Sequence, residues 1–345
     1  MEVNKELLNK IKITPLIDTL KMENISDDVY FSEKYSNYIS NSRLGLLINK
    51  GVKAFFEGLS ANQEYNPSFF FGTLLHQQVL QPESFEVIEG VYTPTAKARL
   101  MALELYNPNG TTPTDDEIKA ASYKIGYYKD KLTSNRITEL RGKCNQFWRD
   151  RCIYENKNPF KKGDKERIYI DEKSHDLLKS CLNSINKNKD ILKLLKPEGA
   201  IEQPISANEQ TILLDVQIEV PDYEPKVYKL KSKLDNFTID KEENIITVND
   251  LKTTSKLANE FSPDYFHYQR EIGMYSYLLK LCAKKFFGLD NPTIKGNFLV
   301  VSLIPDYNSL VYAMTPKLYK QGFEEFKYLL KTAAYYNIVE GYEFQ

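Results

Sequence analysis

The chain lacks an excess of charge of either sign. Lysine and arginine number 46 and aspartate and glutamate 47, so the formal net charge is −1 and the isoelectric point is near 6.4. This balance excludes a protein whose overall positive charge attracts polyanions such as nucleic acids. Any basic path on its surface must be a local stripe.

Long apolar runs are also lacking, and none approaches the roughly 20 residues of a membrane-spanning helix. The first residues, Met-Glu-Val-Asn-Lys-Glu, have no signal-peptide pattern, so we expect a cytoplasmic protein without membrane contact. The four scattered cysteines form no Cys-x-x-Cys pair, which indicates reduced thiols. They are Cys144, Cys152, Cys181 and Cys282.

Apolar material, by contrast, is ample. Hydrophobic residues make up 42% of the 345 residues, enough for two average domains or one elaborated α/β core with a helical N-terminal part. Helices are predicted over about 3–22 and 42–58, around His76, and from a capping signal at Thr114 to about Cys152. Later strands are predicted at Thr211–Val220, Lys295–Ser302 and Tyr307–Met314, with a closing helix at Pro316–Ala333.

Two alternating runs, Lys229–Ile239 and Ile245–Lys252, predict a β-hairpin that turns over a short polar link. If Asp240 pairs with Ile245, then Ile239 lies opposite Ile246, Phe237 opposite Val248 and Asp235 opposite Asp250. Side chains alternate along a strand, so Asp250 and Lys252 share one face with these apolar residues. The register thus predicts two carboxylates and a lysine at the end of an apolar strip.

Such a pair of acids repels unless a cation joins it. A divalent cation with Lys252 beside it would keep Asp235 and Asp250 ionised, and hard oxygen ligands suit Mg²⁺ or Mn²⁺. The metal would lower the pKa of a bound water, which Lys252 would orient or help deprotonate. The alternative is a solvated cross-strand cluster, since Asp and Lys are common at strand ends.

Leu234-Asp235 and Asp250-Leu251-Lys252 resemble the two acidic motifs of the PD-(D/E)XK nucleases. Phe71-Gly72-Thr73-Leu74-Leu75-His76 resembles the Gly-x-x-x-His helix of the RecB-like branch and of the phage exodeoxyribonuclease VIII-like proteins. In those enzymes the histidine is a metal ligand, so the resemblance gives that role to His76. By itself, a lone histidine among apolar residues is more often a core residue.

A helix that opens at Ser262-Pro263-Asp264 and continues through Tyr275 resembles the family's Gln-x-x-x-Tyr helix, which lies beside the active site. Here Glu271 stands four residues before Tyr275, and Gln269 lies two residues earlier. Either glutamate replaces glutamine or the alignment slips. His267, Glu271 and Tyr275 would share one helix face, which either lines the site or is ordinary helix surface. The resemblance predicts substrate binding by Glu271, Tyr275 and Gln269.

Gly163–Asp171 and the helical run that follows it resemble the segment that precedes the nuclease core in the phage proteins. The resemblance therefore implies a restriction-endonuclease-like α/β core over 161–345, a central mixed sheet flanked by helices. A helical part over 1–160 would carry the histidine motif, and the two would form one integrated domain. Glu202 is either a further acid near the metals or a sheet-edge residue.

The activity that the resemblance implies is a metal-dependent exonuclease that hydrolyses double-stranded DNA ends with one or two Mg²⁺ or Mn²⁺ ions, as in phage-type recombination. Catalysis would fall to Asp235, Asp250, Lys252 and His76. A single-strand annealing protein and a homo-oligomer are the implied partners, in a bacterial cytoplasm. The alternatives are an endonuclease of the same fold and an inactive DNA-binding protein.

Two further features bear on that activity. Some RecB-like relatives hold an iron-sulfur cluster through one cysteine near the histidine motif and three near the C-terminus; this chain has no such set, so no cluster is expected. Candidates for a local phosphate-binding stripe are basic residues, for each of which solvation is the alternative. They are Arg43, Lys50, Lys53, Lys97, Arg99, Lys229, Lys231 and Lys233.

Overall fold

The computed structural model of the protein describes residues 5–58, 67–89, 91, 105, 112–125, 132–195 and 205–344. Of the residues singled out above, Lys97, Arg99 and Glu202 lie outside this part of the chain. Within it, no helix combines the length and the apolarity needed to cross a membrane.

Helices and strands are interspersed along the chain. The helices are α1 (Lys5–Lys10), α2 (Asp27–Tyr30), α3 (Asn41–Asn49), α4 (Val52–Glu57), α5 (Pro67–Leu80), α6 (Asp115–Lys124), α7 (Ser134–Lys157), α8 (Glu172–Lys187), α9 (Lys189–Leu195), α10 (Tyr268–Cys282) and α11 (Pro316–Ile338). The strands are β1 (Lys12–Glu23), β2 (Phe85–Ile88), β3 (Glu166–Tyr169), β4 (Ile205–Glu219), β5 (Lys226–Asp240), β6 (Ile245–Thr254), β7 (Thr293–Ser302) and β8 (Ser309–Ala313).

Six strands form one mixed sheet in the order β1-β4-β5-β6-β7-β8. Neighbouring strands are antiparallel except β6 and β7, which are parallel and are joined through α10. Parallel neighbours require such a crossover, whereas β5 and β6 need only a tight hairpin. The predicted α/β class, with a central mixed sheet flanked by helices, is confirmed.

The chain divides into two compact units. One combines Met1–Leu59 with Ser184–Gln345 and holds the six-stranded sheet; the other is Ser60–Asn183 and holds a parallel pair of strands, β2 and β3, with helices α5 to α7. This division differs from the predicted boundary at residue 160, because the first residues of the chain belong to the sheet unit.

The N-terminal segment also departs from the helix predicted over 3–22. Helix α1 ends at Lys10, and Lys12–Glu23 forms an edge strand antiparallel to β4, with Lys12 paired to Glu219. Its Pro15 is tolerated because an edge strand has one side without sheet partners. The helix predicted over 42–58 is two helices, interrupted at Gly51, whose φ is 85°.

The sheet buries the apolar strip that the alternation predicted. Phe237, Ile239, Ile246 and Val248 are at most 1% exposed. Helix α10 packs against this face, with Ile272 so close to Gly296 of β7 that a Cβ there would lie 2.5 Å from its Cγ2. The helix that carries Glu271 and Tyr275 therefore covers the sheet face that carries Asp250 and Lys252.

Helix α10 is itself fixed by a close approach of its backbone to α11. A Cβ on Gly322 of α11 would lie 2.0 Å from the carbonyl oxygen of Gln269, and one on Gly273 would lie 2.6 Å from backbone atoms of Gly322 and Phe323. Neither backbone can yield by rotating a side chain. Both glycines are therefore needed for the two helices to approach each other.

We predict that Gly322→Ala destabilises the sheet unit by roughly 1–3 kcal/mol or more, as overpacking of a closed interior does. Hydrogen exchange measured on peptides from α10 and α11 should accelerate, while peptides from α7 remain unchanged. Gly142→Ala is the control, because nothing lies within 4 Å of a Cβ there and alanine favours the helix. Unchanged exchange in α10 would contradict the assigned close approach.

Candidate active site

The acids lie where the β5–β6 hairpin stops pairing. The predicted register is confirmed from Asp240–Ile245 to Phe237–Val248, and the ladder continues to Asn236–Asn249. Asp235 and Asp250 come next but do not pair across the ladder. Instead, the backbone N–H of Leu251 donates to Asp235 Oδ2 at 2.7 Å. The Asp235 carboxylate thus accepts a hydrogen bond from a backbone N–H that has no partner in the β5–β6 ladder.

Beyond this point, Ile39 of the N-terminal segment pairs with the edge of β5 that β6 has left. The N–H of Ile39 donates to the carbonyl of Lys229 at 2.7 Å, and the N–H of Lys231 donates to the carbonyl of Ile39 at 3.0 Å. This arrangement brings Tyr30, which is 6% exposed, toward the acids. Burial, followed by the charge of Glu271, raises the pKa of Tyr30 well above its usual value.

Lys252 is the centre of the cluster. Its Nζ lies 2.7 Å from Asp250 Oδ2 and donates to Glu271 Oε2 at 3.0 Å. The hydroxyl of Tyr275 donates to Glu271 Oε1 at 2.9 Å, and the Tyr268 ring centroid lies 5.0 Å from Nζ. Asp250 is 1% exposed, while the side chains of Lys252 and Glu271 are 16% and 19% exposed. The site is therefore buried at Asp250 and accessible at the lysine.

Burial and mutual charge set the protonation of these groups. Burial, reinforced by Glu271 and Asp235, raises the pKa of Asp250 well above its usual range, although Lys252 opposes the shift. Burial by itself would lower the pKa of Lys252, but Asp250, Glu271 and Asp235 together raise it well above its usual value. The raised pKa of Lys252 favours its ammonium form, which pairs with Asp250 and Glu271.

The donor set of the site suits a hard cation. Neither carboxylate oxygen of Asp250 accepts a hydrogen bond of good geometry, although both are shielded from solvent. Across the described ranges, no three His, Cys, Asp or Glu side chains converge to form a metal cage. Mg²⁺ is commonly held by only one or two carboxylates, with water and phosphate oxygens completing its shell. Asp235 and Asp250 fit that mode.

His76 lies in the other unit, on helix α5 as predicted. Its Nδ1 is 2.7 Å from the carbonyl oxygen of Gly72, so Nδ1–H donates and Nε2 carries the lone pair. That tautomer is the one a metal-ligating histidine adopts when a carbonyl orients it. Its role as a ligand stays a prediction.

Two residues predicted to lie near the site, His267 and Gln269, contact Glu325 instead. Helix α10 begins only at Tyr268, because Pro263–Phe266 forms a separate 3-10 turn and His267 adopts a left-handed φ of 57°. His267 Nδ1 lies 2.7 Å from Glu325 Oε1 on α11, and the Gln269 amide donates to Glu325 Oε2 at 3.1 Å. Of the predicted helix face, Glu271 and Tyr275 remain at the acids.

Several basic residues proposed as a phosphate stripe have structural partners. Arg43 is 7% exposed and donates to the carbonyls of Phe55 and Phe56. Lys231 is 8% exposed and donates to the carbonyl of Tyr30; burial, followed by the charge of Arg43, lowers its pKa to about 8. Lys233 pairs with Asp27 and Glu209. Lys229 is the exposed member of its trio.

Sequence reasoning missed a ladder of asparagines on the opposite face of the sheet. Asn297 donates to Asn249 at 2.9 Å, Asn249 to Asn236 at 2.8 Å, and Asn236 to Asn208 at 2.7 Å. Asparagine is depleted in strands, so Asp235-Asn236 and Asn249-Asp250 carried a detectable signal. Asn236 follows Asp235 and Asn249 precedes Asp250, so the ladder fixes the two central strands where their pairing ends.

Comparison with known proteins adds little to this geometry. No protein-family model matches the chain, and no curated protein matches it. A solved structure from Eubacterium rectale, described as "Putative exonuclease", aligns over 91% of this chain and 86% of its own, with 10% identity and a TM-score of 0.35. At that distance the likeness assigns no function to this chain.

We predict that Lys252→Met, studied in EDTA, lowers the free energy of unfolding by roughly 3–5 kcal/mol, because it leaves buried carboxylates without their cation. The pKa of Asp250 would rise further above its unfolded value of about 3.9. When folding raises the pKa of a carboxyl group, the folded protein loses stability as the pH rises from the unfolded-state pKa toward the folded-state pKa. The deficit should therefore be larger at about pH 8 than at about pH 5 in urea unfolding.

Lys256→Met is the matched control, since Lys256 is exposed on the segment that follows the same strand. Adding Asp250→Asn to Lys252→Met should recover part of the lost stability and remove most of the pH dependence. A deficit independent of pH in the single variant would mean that Lys252 stabilises the fold through packing alone.

Proposed function

We propose that this protein is a metal-dependent nuclease that hydrolyses phosphodiester bonds of DNA. The observation that carries the proposal is the Lys252 ammonium, held between Asp250 and Glu271 at the point where β5 and β6 stop pairing beside Asp235. A structural cluster of exposed strand-end residues would be solvated. This one buries Asp250 against the ammonium of Lys252.

The chain's own groups suggest a division of labour. Asp235 and Asp250 would hold Mg²⁺ or Mn²⁺, with His76 as the further ligand that the family resemblance assigns. Bound there, the metal would lower the pKa of a coordinated water and offset charge that builds on phosphorus. Lys252, as an ammonium, donates hydrogen bonds and so orients a water or a phosphate oxygen. Glu271 and Tyr275 hold Lys252 in place.

The substrate and pathway follow from the resemblance of these motifs to the exodeoxyribonuclease VIII-like proteins. On that basis we propose digestion from double-stranded ends in phage-type recombination, with a single-strand annealing protein as partner and a homo-oligomer as the working form. An endonuclease of the same fold would use the same acids and lysine. The third candidate is a DNA-binding protein without activity, to which a glutamate, Glu271, in place of the family's glutamine would lend some weight.

We predict that the purified protein degrades linear duplex DNA with Mg²⁺ and not with EDTA, and spares a matched closed circle. Asp250→Ala and Lys252→Ala should each lose on the order of 10²- to 10⁴-fold in rate. The measurement is release of nucleotides from an end-labelled duplex. Cutting of the circle would identify an endonuclease, and binding without cleavage would identify the inactive binding protein.

We predict that Glu271→Gln keeps the rate within about tenfold, since a carboxamide oxygen still accepts a hydrogen bond from Lys252 or Tyr275. Glu271→Ala should lose roughly a hundredfold in kcat with little change in KM, because it releases Lys252 and leaves bound DNA untouched. Equal losses in both variants would show that the charge of Glu271, rather than its hydrogen bonds, is required.

A further inference from the structure

An exposed pair of aromatic rings, Tyr265 and Phe266, lies close in the chain to Tyr268, whose ring contacts Lys252. Tyr265 is 79% exposed and Phe266 61%, and their ring centroids lie 4.6 Å apart in an edge-to-face arrangement. Both lie on the 3-10 turn Pro263–Phe266, immediately before helix α10. Together the two rings form a contiguous apolar patch, the kind of surface at which proteins bind ligands when it is large enough.

The ring pair is connected directly to the catalytic candidates. The Phe266 ring centroid lies 5.4 Å from that of Tyr268, and the Tyr268 ring lies 5.0 Å from Lys252 Nζ. Tyr268 in turn stacks on Phe261, with centroids 5.8 Å apart and planes 9° from parallel. One aromatic ring therefore separates Phe266 from the lysine at the acids.

The turn that carries the rings is held in a fixed conformation. His267, which follows Phe266, adopts φ 57°, a left-handed geometry that is uncommon for a non-glycine residue. Its ring lies 2.7 Å from Glu325, and Pro263 at the start of the turn is buried. Strained backbone persists where its surroundings fix it, and such positions cluster at ligand sites. The backbone that carries the two rings is thus fixed on both sides.

We infer that Tyr265 and Phe266 stack against an unpaired nucleobase of the DNA strand whose phosphodiester lies at Lys252. The inference rests on the proposed nuclease function and adds the part of the substrate that this surface takes. Flat rings bind bases of any sequence through their π faces. Asp264, exposed on the same turn, disfavours a phosphate there, so the base rather than the backbone is the matching group.

The test uses a short duplex with a single-stranded tail that carries 2-aminopurine, whose fluorescence is quenched on stacking, with Ca²⁺ in place of Mg²⁺. Wild-type protein should quench the probe. Tyr265→Ala and Phe266→Ala should each weaken Kd roughly 5- to 100-fold and relieve the quenching. Phe266→Trp should retain both properties, whereas Phe266→Leu, apolar but not aromatic, should not.

Tyr223→Ala is the matched control. Tyr223 is 45% exposed and lies in the turn between β4 and β5. Because an extended strand rises about 3.3 Å per residue, this turn lies roughly 30 Å from Asp235. The variant should bind and quench like the wild type. Equal loss in Tyr223→Ala, equal binding by Phe266→Leu, or no quenching by the wild type would each overturn the inference.

The inference and the proposed nuclease fail in different ways. Metal-dependent cleavage with unchanged quenching in Phe266→Ala would refute the stacking surface and leave the nuclease intact. Ring-dependent quenching without any cleavage would do the reverse. A change in oligomeric state on gel filtration, with DNA binding unaffected, would overturn the inference in favour of a contact between copies of this chain.

Discussion

The arrangement of the site depends on one hydrogen bond, from the backbone N–H of Leu251 to the carboxylate of Asp235. At this point the β5–β6 ladder ends, although each strand continues and keeps its outer neighbour. The edge of β5 is then open to Ile39, and Asp250 and Lys252 lie beneath α10 without a partner on β5. A ladder that continued would have placed two carboxylates side by side.

Much of the site could be predicted from the chain because the hairpin is local. Strand alternation and a short polar turn decide the register between Ile239 and Ile246 without reference to any other part of the molecule. The same reasoning places Asp250 and Lys252 on one face. It could not show that the pairing ends at Asn236–Asn249, because that depends on Ile39, far earlier in the chain.

The remaining errors have the same origin. Lys12–Glu23 resembles a continuation of the first helix, since its partner β4 is distant in sequence and leaves no local trace. His267 breaks the predicted helix because Glu325, on another helix, stabilises a conformation that histidine seldom adopts. Lys231 has the pattern of a phosphate ligand, yet Tyr30 buries it. Charge patterns report residue type and not burial.

The interrupted sheet unit has a consequence for biosynthesis. Strand β1 pairs with β4, and the 181 residues from 24 to 204, which include the whole second unit, are made between them. At typical rates of synthesis that interval lasts on the order of 10–40 s. The inserted unit can fold during this time, whereas the N-terminal strand waits with its apolar side chains exposed. In a cell, Lys12–Glu23 is therefore made long before its partner strand and can be ordered in the sheet only after β4 has been synthesised.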